Sequence, residues 1–294
     1  MRDFSSEWIG FHARALLQQV SGQAIAVWRR SFYVRLGGQL CCIGSDAIGN
    51  GPRNVIVSAA TDVDWRDYVA LNSPGTIHEG TLELGLARIR FKKAAVWHPP
   101  TIPEWTPLTL RSGLEHFDHV IRRVQLLHEG LGCYITSDQH ENNYNHTAAA
   151  AAPTIQAIAN WFRDGHSLSQ APEFANLLGL GPGLTPSGDD FLVGVMVTTH
   201  SLGKHTAAIT IWNALRENLS RTNQISTAHL GSAAHGYFSS NLHELLNSLL
   251  CGSDSQIEAA MAVIIKDAHT SNWDCLAGII TTLHAIQASP GRAK

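Results

Sequence analysis

Charge is scarce in this sequence. Only 15% of its 294 residues are Asp, Glu, Lys or Arg, where about 25% is usual for a soluble domain. The net charge is −3 with His neutral. No Lys/Arg cluster occurs, which excludes bulk nucleic-acid binding. So little charge suits a surface covered by partners in an obligate assembly. The five cysteines (Cys41, Cys42, Cys133, Cys251 and Cys275) are odd in number and none forms a CxxC pair. Reduced thiols in a cytoplasmic protein are the expectation. No apolar h-region follows Met1-Arg2-Asp3-Phe4-Ser5-Ser6-Glu7, so no signal peptide is expected. No apolar run reaches the ~18 residues that would span a bilayer. Sixteen His are present without an HExxH or HxH motif. His116 and His119 have helical i,i+3 spacing, but on the wet face of an amphipathic segment. No internal repeat is present.

The chain has two characters. From residue 21 to residue 97 short β-branched or apolar runs alternate with Gly and Pro. The runs are 23–28, 32–36, 39–44 and 54–59, then a longer stretch, 76–96, broken at Gly80 and Gly85. Several short strands with such punctuation predict a small β-barrel or sandwich. A short amphipathic helix over 5–20 precedes them, carried by Trp8, Ile9, Phe11, Ala15 and Leu16. The proline-marked segment 99–107 is the expected boundary. Beyond it apolar residues recur at three- and four-residue spacing. Ser112 is expected to cap the first helix, containing Leu114, Phe117, Ile121, Val124 and Leu127. Residues 136–146 read as a polar loop. The Ala148–Ala152 run precedes Pro153 and feeds a helix. Further helices are predicted near 168–178, 189–202, 206–219, 227–236, 240–250, 256–268 and 273–287, with a capping box at Ser255-Gln256-Ile257-Glu258. The fold class is therefore α+β: a β-rich N-terminal barrel or sandwich over 1–105, then an α-helical C-terminal domain over 106–294.

The least ordinary stretch is Gly179-Leu180-Gly181-Pro182-Gly183-Leu184-Thr185-Pro186-Ser187-Gly188-Asp189-Asp190. Four glycines let the backbone turn and approach a ligand closely, and two prolines stiffen the loop. Two hydroxyls and two carboxylates then open an apolar helix whose first N–H groups favour an anion. No Lys follows the glycines, which excludes a Walker A loop. A single Asp here would be a helix cap and nothing more; two Asp, two hydroxyls and two prolines exceed what a cap needs. Two carboxylates repel a phosphate unless a cation such as Mg²⁺ bridges them or one takes a proton. The helix over 189–202 is apolar almost all round, so it is expected at the centre of the helical layer.

Two more helix starts carry similar groups. Thr222 and Ser226 offer hydroxyls, and Arg221 a positive charge, ahead of one helix; capping by Ser226 or Thr227 is the plainer reading. Ser271, Asn272 and Asp274 open the last helix. Convergence of the three starts on one small anion is an inference from their excess of polar groups. Cys275 has no visible base to activate it.

The segment Gly179 to Gly194 resembles the signature of the bacterial family typified by the AllH subunit of oxamate carbamoyltransferase. Thr222–Leu250, with Ile225-Ser226 and Ala234-His235-Gly236, resembles its second block. Thr270-Ser271-Asn272-Trp273-Asp274 with Gly278 resembles its third; Asn272 departs from an expected Gly, and left-handed backbone there would suit Asn better than most residues. Weaker matches fall at Gly51-Pro52-Arg53-Asn54 and Trp97-His98-Pro99. The resemblance implies a subunit working with two others, one of them related to acyl-CoA synthetases, in anaerobic allantoin and purine breakdown. Its reaction interconverts oxalurate plus phosphate with oxamate plus carbamoyl phosphate. Read onto this chain, Asp189, Asp190 and Ser187 are the expected catalytic groups. Gly181, Gly183, Leu184, Thr185, Gly188, Thr222, Ser226, Ser271, Asn272 and Asp274 are the expected substrate contacts. No cofactor is expected beyond Mg²⁺ accompanying a bound phosphate, and the sequence names no metal site. Two other readings remain open: an independent Mg²⁺-dependent enzyme with Asp189, Asp190 and Asp274 as ligands, and a non-catalytic assembly subunit.

Overall fold

A computed structural model describes residues 1–58, 62–124, 129–136, 145–267 and 270–289. Most of the predicted loop over 136–146, together with Leu127 and His269, lies outside them. The chain divides into two compact units, Met1–Pro100 and Thr101–Lys294.

The first unit is a closed barrel of eight strands with a ninth attached. The strands are β1 (Arg2–Gly10), β2 (Ser21–Val27), β3 (Ser31–Leu36), β4 (Gln39–Gly44), β5 (Asn54–Val57), β6 (Pro74–His78), β7 (Thr81–Leu84), β8 (Ala87–Arg90) and β9 (Ala95–Trp97). They run in the order β5-β4-β3-β2-β6-β7-β8-β1, and β1 pairs with β5 to close the ring. Period-two burial drives this. Phe32, Val34 and Leu36 of β3 are fully buried while their neighbours are partly open.

β1 corrects the expected helix over 5–20. Phe4 and Ser6 alternate inward, and an irregular register between Ser6 and Trp8 then shifts the phase so that Ile9 is also buried. The shift blurs the period of two and imitates helical spacing. Only α1 (Phe11–Leu16) is helical there. β1 pairs in parallel with β8 over Arg2–Ser5 and with β9 over Trp8–Gly10. Trp65 fills the barrel, with ring centroids 4.8 Å from Phe4 and 4.9 Å from Phe32.

The second unit is helical. It contains α2 (Pro107–Ile121), α3 (His146–Arg163), α4 (Ser187–Ser201), α5 (His205–Arg216), α6 (Gln224–Ala233), α7 (Ser240–Cys251), α8 (Asp254–Asp267) and α9 (Thr270–Gln287). Thr106, not Ser112, caps α2, through a reciprocal hydroxyl arrangement with Thr109. α8 begins at Asp254, so the predicted box at Ser255 lies inside it. Pro153 lies within α3 rather than before it. The expected helix over 168–178 is only two 3₁₀ turns, Leu168–Gln170 and Phe174–Leu177. Pro172 between them lacks the N–H that a continuous helix would need. α4 is buried along nearly its whole length and packs against α5, α6 and α9, as its all-round apolar sequence requires. Its buried Thr198 and Thr199 hydroxyls donate back to the carbonyls of Gly194 and Val195 at 2.8 and 2.6 Å. Among the described residues no helix is long and apolar enough to cross a membrane.

Candidate functional site

The glycine loop runs from the 3₁₀ turn at Phe174–Leu177 into α4 (Ser187–Ser201). Pro186, not an aspartate, is the N-cap of α4. Asp189 and Asp190 therefore lie within the first turn, and both are buried, at 1% and 5% exposure. The loop also consumes most of the N–H groups expected to face an anion. Gly188 donates to the Leu180 carbonyl at 2.9 Å. Asp189 and Asp190 donate to the Pro186 carbonyl at 2.9 and 3.1 Å. The helix terminus is thus capped from within its own chain.

Asp189 ties three segments together. Its Oδ1 accepts from the Gly179 N–H at 2.9 Å and its Oδ2 accepts from the Thr222 hydroxyl. Gly179 has φ of +72°, and a Cβ there would lie 2.2 Å from the Arg221 carbonyl oxygen. Only glycine fits that close approach. Burial raises the Asp189 carboxyl above its ordinary range, and the donors Thr222, Gly179 and Ser226 pull it partly back. The loop is held a second time at Leu184. Its carbonyl accepts from Asn223 Nδ2 at 2.8 Å and from Ser226 Oγ at 3.5 Å. Asn223 is also the cap of α6, so Ser226 and Thr227 are not.

Asp274 lies in the first part of α9 at 1% exposure. Its Oδ1 accepts from the Leu131 N–H at 2.5 Å, and Ser187 donates a side-chain hydrogen bond to it. Gly130 packs so closely that a Cβ would lie 2.4 Å from Asp274 Oδ1. Burial pushes this carboxyl up to about 6, against the pull of Leu131 and Ser187. Asp190 is the group left over. Thr185 donates to it, yet its buried Oδ2 has no hydrogen-bond partner among the described residues. Burial first, then the neighbouring charges of Asp274 and Asp189, hold it well above the usual carboxylate range. Burial thus favours its neutral form.

The structure therefore joins Thr185, Ser187, Asp189, Asp190, Thr222, Ser226 and Asp274, from the starts of α4, α6 and α9. Gly181, Gly183 and Leu184 form the more open part of the loop above them, and Gly188 packs inward against the Leu177 carbonyl. Ser271 and Asn272 sit half-buried in the turn before Asp274. Asn272 is helical and does not take the left-handed turn anticipated for it. Arg221 is exposed in the 3₁₀ turn Leu219–Arg221 and contributes its carbonyl to the packing at Gly179. The Cys275 thiol is raised well above its ordinary value by burial and by Asp190 and Asp274, so it is no nucleophile. His116 faces Asp254 and Glu258 at 3.4 and 3.5 Å. Among the described residues no group of three or more His, Cys, Asp or Glu is arranged to hold a metal ion. Sequence reasoning missed Gly130, Leu131, Asn145 and Asn223. Only the asparagines carried a signal, each standing just before a helix.

The raised Asp274 carboxyl has a thermodynamic consequence. Its ordinary value is 3.8 and its folded value about 6. The neutral form is favoured by folding, so stability is full below about pH 4 and falls as pH rises through 6. The full effect is about 3 kcal/mol. Asp274→Asn should flatten the decline of melting temperature between pH 4 and 7.5; an unchanged slope would show that Asp274 does not carry it.

A family model described as oxamate carbamoyltransferase subunit AllH matches residues 177–283. The match begins at the last residue of the 3₁₀ turn before the glycine loop and runs through most of α9, so it encloses all three helix starts. No solved structure matches the chain.

Proposed function

We propose that this chain is a carbamoyltransferase subunit that binds a small carbamoyl-bearing anion at the glycine loop. The substrates would be oxalurate with phosphate in one direction and oxamate with carbamoyl phosphate in the other. The observation that carries this reading is the buried, unpartnered Oδ2 of Asp190 where the three helix starts meet. A native protein leaves few such atoms without a partner, and a ligand group would complete this one. The family match supports the carbamoyl chemistry. Anion recognition falls to the loop rather than to the first turn of α4. Among the described residues the N–H groups of Gly181, Gly183 and Leu184 have no protein acceptor, and glycines at positive φ favour such donor nests.

In the direction of oxalurate breakdown, a phosphate oxygen bonds to the terminal carbamoyl carbon and the carbon–nitrogen bond breaks. The departing nitrogen takes a proton, leaving oxamate. Asp190, held neutral, delivers that proton and regains one from the phosphate, so the acid is unchanged after a turnover. The loop N–H groups of Gly181, Gly183 and Leu184 would stabilise the tetrahedral oxyanion, while the Thr185 and Ser187 hydroxyls stay on Asp190 and Asp274. Other subunits would complete the assembly; an acyl-CoA-synthetase-like chain and a place in cytoplasmic allantoin and purine breakdown belong to the same reading.

Calorimetric titration of the purified chain with carbamoyl phosphate tests it, with and without Mg²⁺. Asp189→Asn keeps the shape but turns an acceptor facing two donors into a partial donor. It should weaken binding about tenfold, the effect of one charged hydrogen bond. Binding that the substitution leaves untouched would remove the anion from this loop, and a strict Mg²⁺ requirement would favour the metal-dependent alternative.

A further inference from the structure

Two asparagines flank the carboxylate cluster and make the same pair of contacts. Asn223 precedes α6. Its Oδ1 accepts from the Ile225 and Ser226 N–H groups at 2.9 and 3.1 Å, while its Nδ2 donates to the Leu184 carbonyl at 2.8 Å. Asn145 precedes α3. Its Oδ1 accepts from the Ala148 N–H at 2.9 Å, while its Nδ2 donates to the Gly130 carbonyl at 2.7 Å. Each clamped carbonyl sits next to a residue that serves a site carboxylate. Thr185, after Leu184, donates its hydroxyl to Asp190. Leu131, after Gly130, donates its N–H to Asp274.

A helix cap needs only the side-chain oxygen, which Ser, Thr or Asp supplies equally well. The amide –NH₂ is therefore surplus to capping at both positions, and at both it is spent on the segment beside the site. We infer that Asn223 and Asn145 are positioning residues that lock the donors of Asp190 and Asp274 against the ends of α6 and α3. The inference rests on reading the carboxylate cluster as the site. It assigns neither asparagine a contact with substrate.

Replacing each asparagine by serine separates the two roles, because serine retains the capping oxygen and loses the donor. Amide hydrogen exchange on the purified chain then reads them apart. In Asn223→Ser the Gly179 and Gly188 amides, protected by Asp189 and Leu180, should exchange about fivefold faster, as expected for one neutral hydrogen bond. The amides of α6 should not change. In Asn145→Ser residues 130–135 should accelerate while α3 does not. Should serine prevent folding, aspartate keeps the cap and also removes the donor, with the same expectation. Carbamoyl phosphate affinity should fall about fivefold in Asn223→Ser. Loop and helix accelerating together would mean the asparagines are caps only and would overturn the inference, as would an unchanged loop. Failure of the wild-type chain to bind carbamoyl phosphate would instead count against the proposed function, and the exchange result would still decide whether the clamps exist.

Discussion

Asp190→Asn should abolish most of the turnover of the assembled transferase while leaving the chain folded. The expected fall in kcat is 10²- to 10⁴-fold, the usual contribution of a positioned acid. The burial that favours the neutral form of Asp190 makes the substitution informative. Asparagine matches the protonated carboxyl in size and charge, so the buried cluster has little reason to rearrange. Its amide cannot release a proton to a departing nitrogen. A purely structural Asp190 would therefore tolerate Asn almost silently.

The stability of the same variant gives an independent check with a definite sign. The folded carboxyl lies well above its ordinary 3.8. Stability from the neutral form is thus present at low pH and is lost as pH rises toward the folded value. Asp190→Asn cannot ionise and should melt higher than the wild type at alkaline pH, with the two converging below pH 4. Lower turnover together with a higher alkaline melting temperature fits a buried acid kept for chemistry at a cost in stability. Turnover and alkaline stability both falling would mean instead that the negative charge holds the cluster together.

The loop and its two accompanying helix starts were legible because their composition exceeds a local need. Adjacent Asp residues after Gly, Pro, Thr and Ser ask for more than a cap, and α4 announced its central place by lacking a polar face. What could not be read was the partner of each polar group. Asp189 looks like a cap in sequence, but Gly179 and Thr222 claim its oxygens from ten and thirty-three residues away. The N–H groups of α4 seemed open to an anion until the loop carbonyls were seen to fill them. Gly130 and Leu131 carried no signal, since an unremarkable Gly-Leu pair supplies the donor of Asp274. In the first unit the run of short strands pointed to a barrel or a sandwich and left closure, made by the β1–β5 pairing, undecided, whereas the irregular register in β1 disguised a strand as a helix. Local patterning conveys periodicity and excess polarity; long-range pairing of backbone groups leaves no such trace.

Gly194→Ala should be a strongly destabilising single-methyl change in the helical unit. α4 and α9 cross with their backbones in contact. A Cβ on Gly194 would lie 2.0 Å from the Cys275 carbonyl oxygen, and one on Gly278 would lie 2.1 Å from that of Phe191. Neither neighbour is a side chain that can swing away, so the helices must part. Alanine's better helix propensity returns only about 1 kcal/mol, against overpacking that costs about 3 kcal/mol or more at a contact this tight. The net loss of roughly 2–3 kcal/mol should lower the melting temperature by about 6–10 °C for a unit of this size. Gly231→Ala is the control: it is also helical, with nothing nearer its Cβ than Trp212 at 4.0 Å, and should be neutral or slightly stabilising. Gly278→Ala alone should resemble Gly194→Ala. The double variant should cost less than the two singles added, because one separation of the helices relieves both contacts. Strict additivity would show that the two methyls are accommodated separately. The same crossing sets the distance between Asp190 on α4 and Asp274 on α9. Well below its melting temperature, Gly194→Ala should therefore also lower the Asp274 titration midpoint from about 6, as parting helices admit water to the carboxylates.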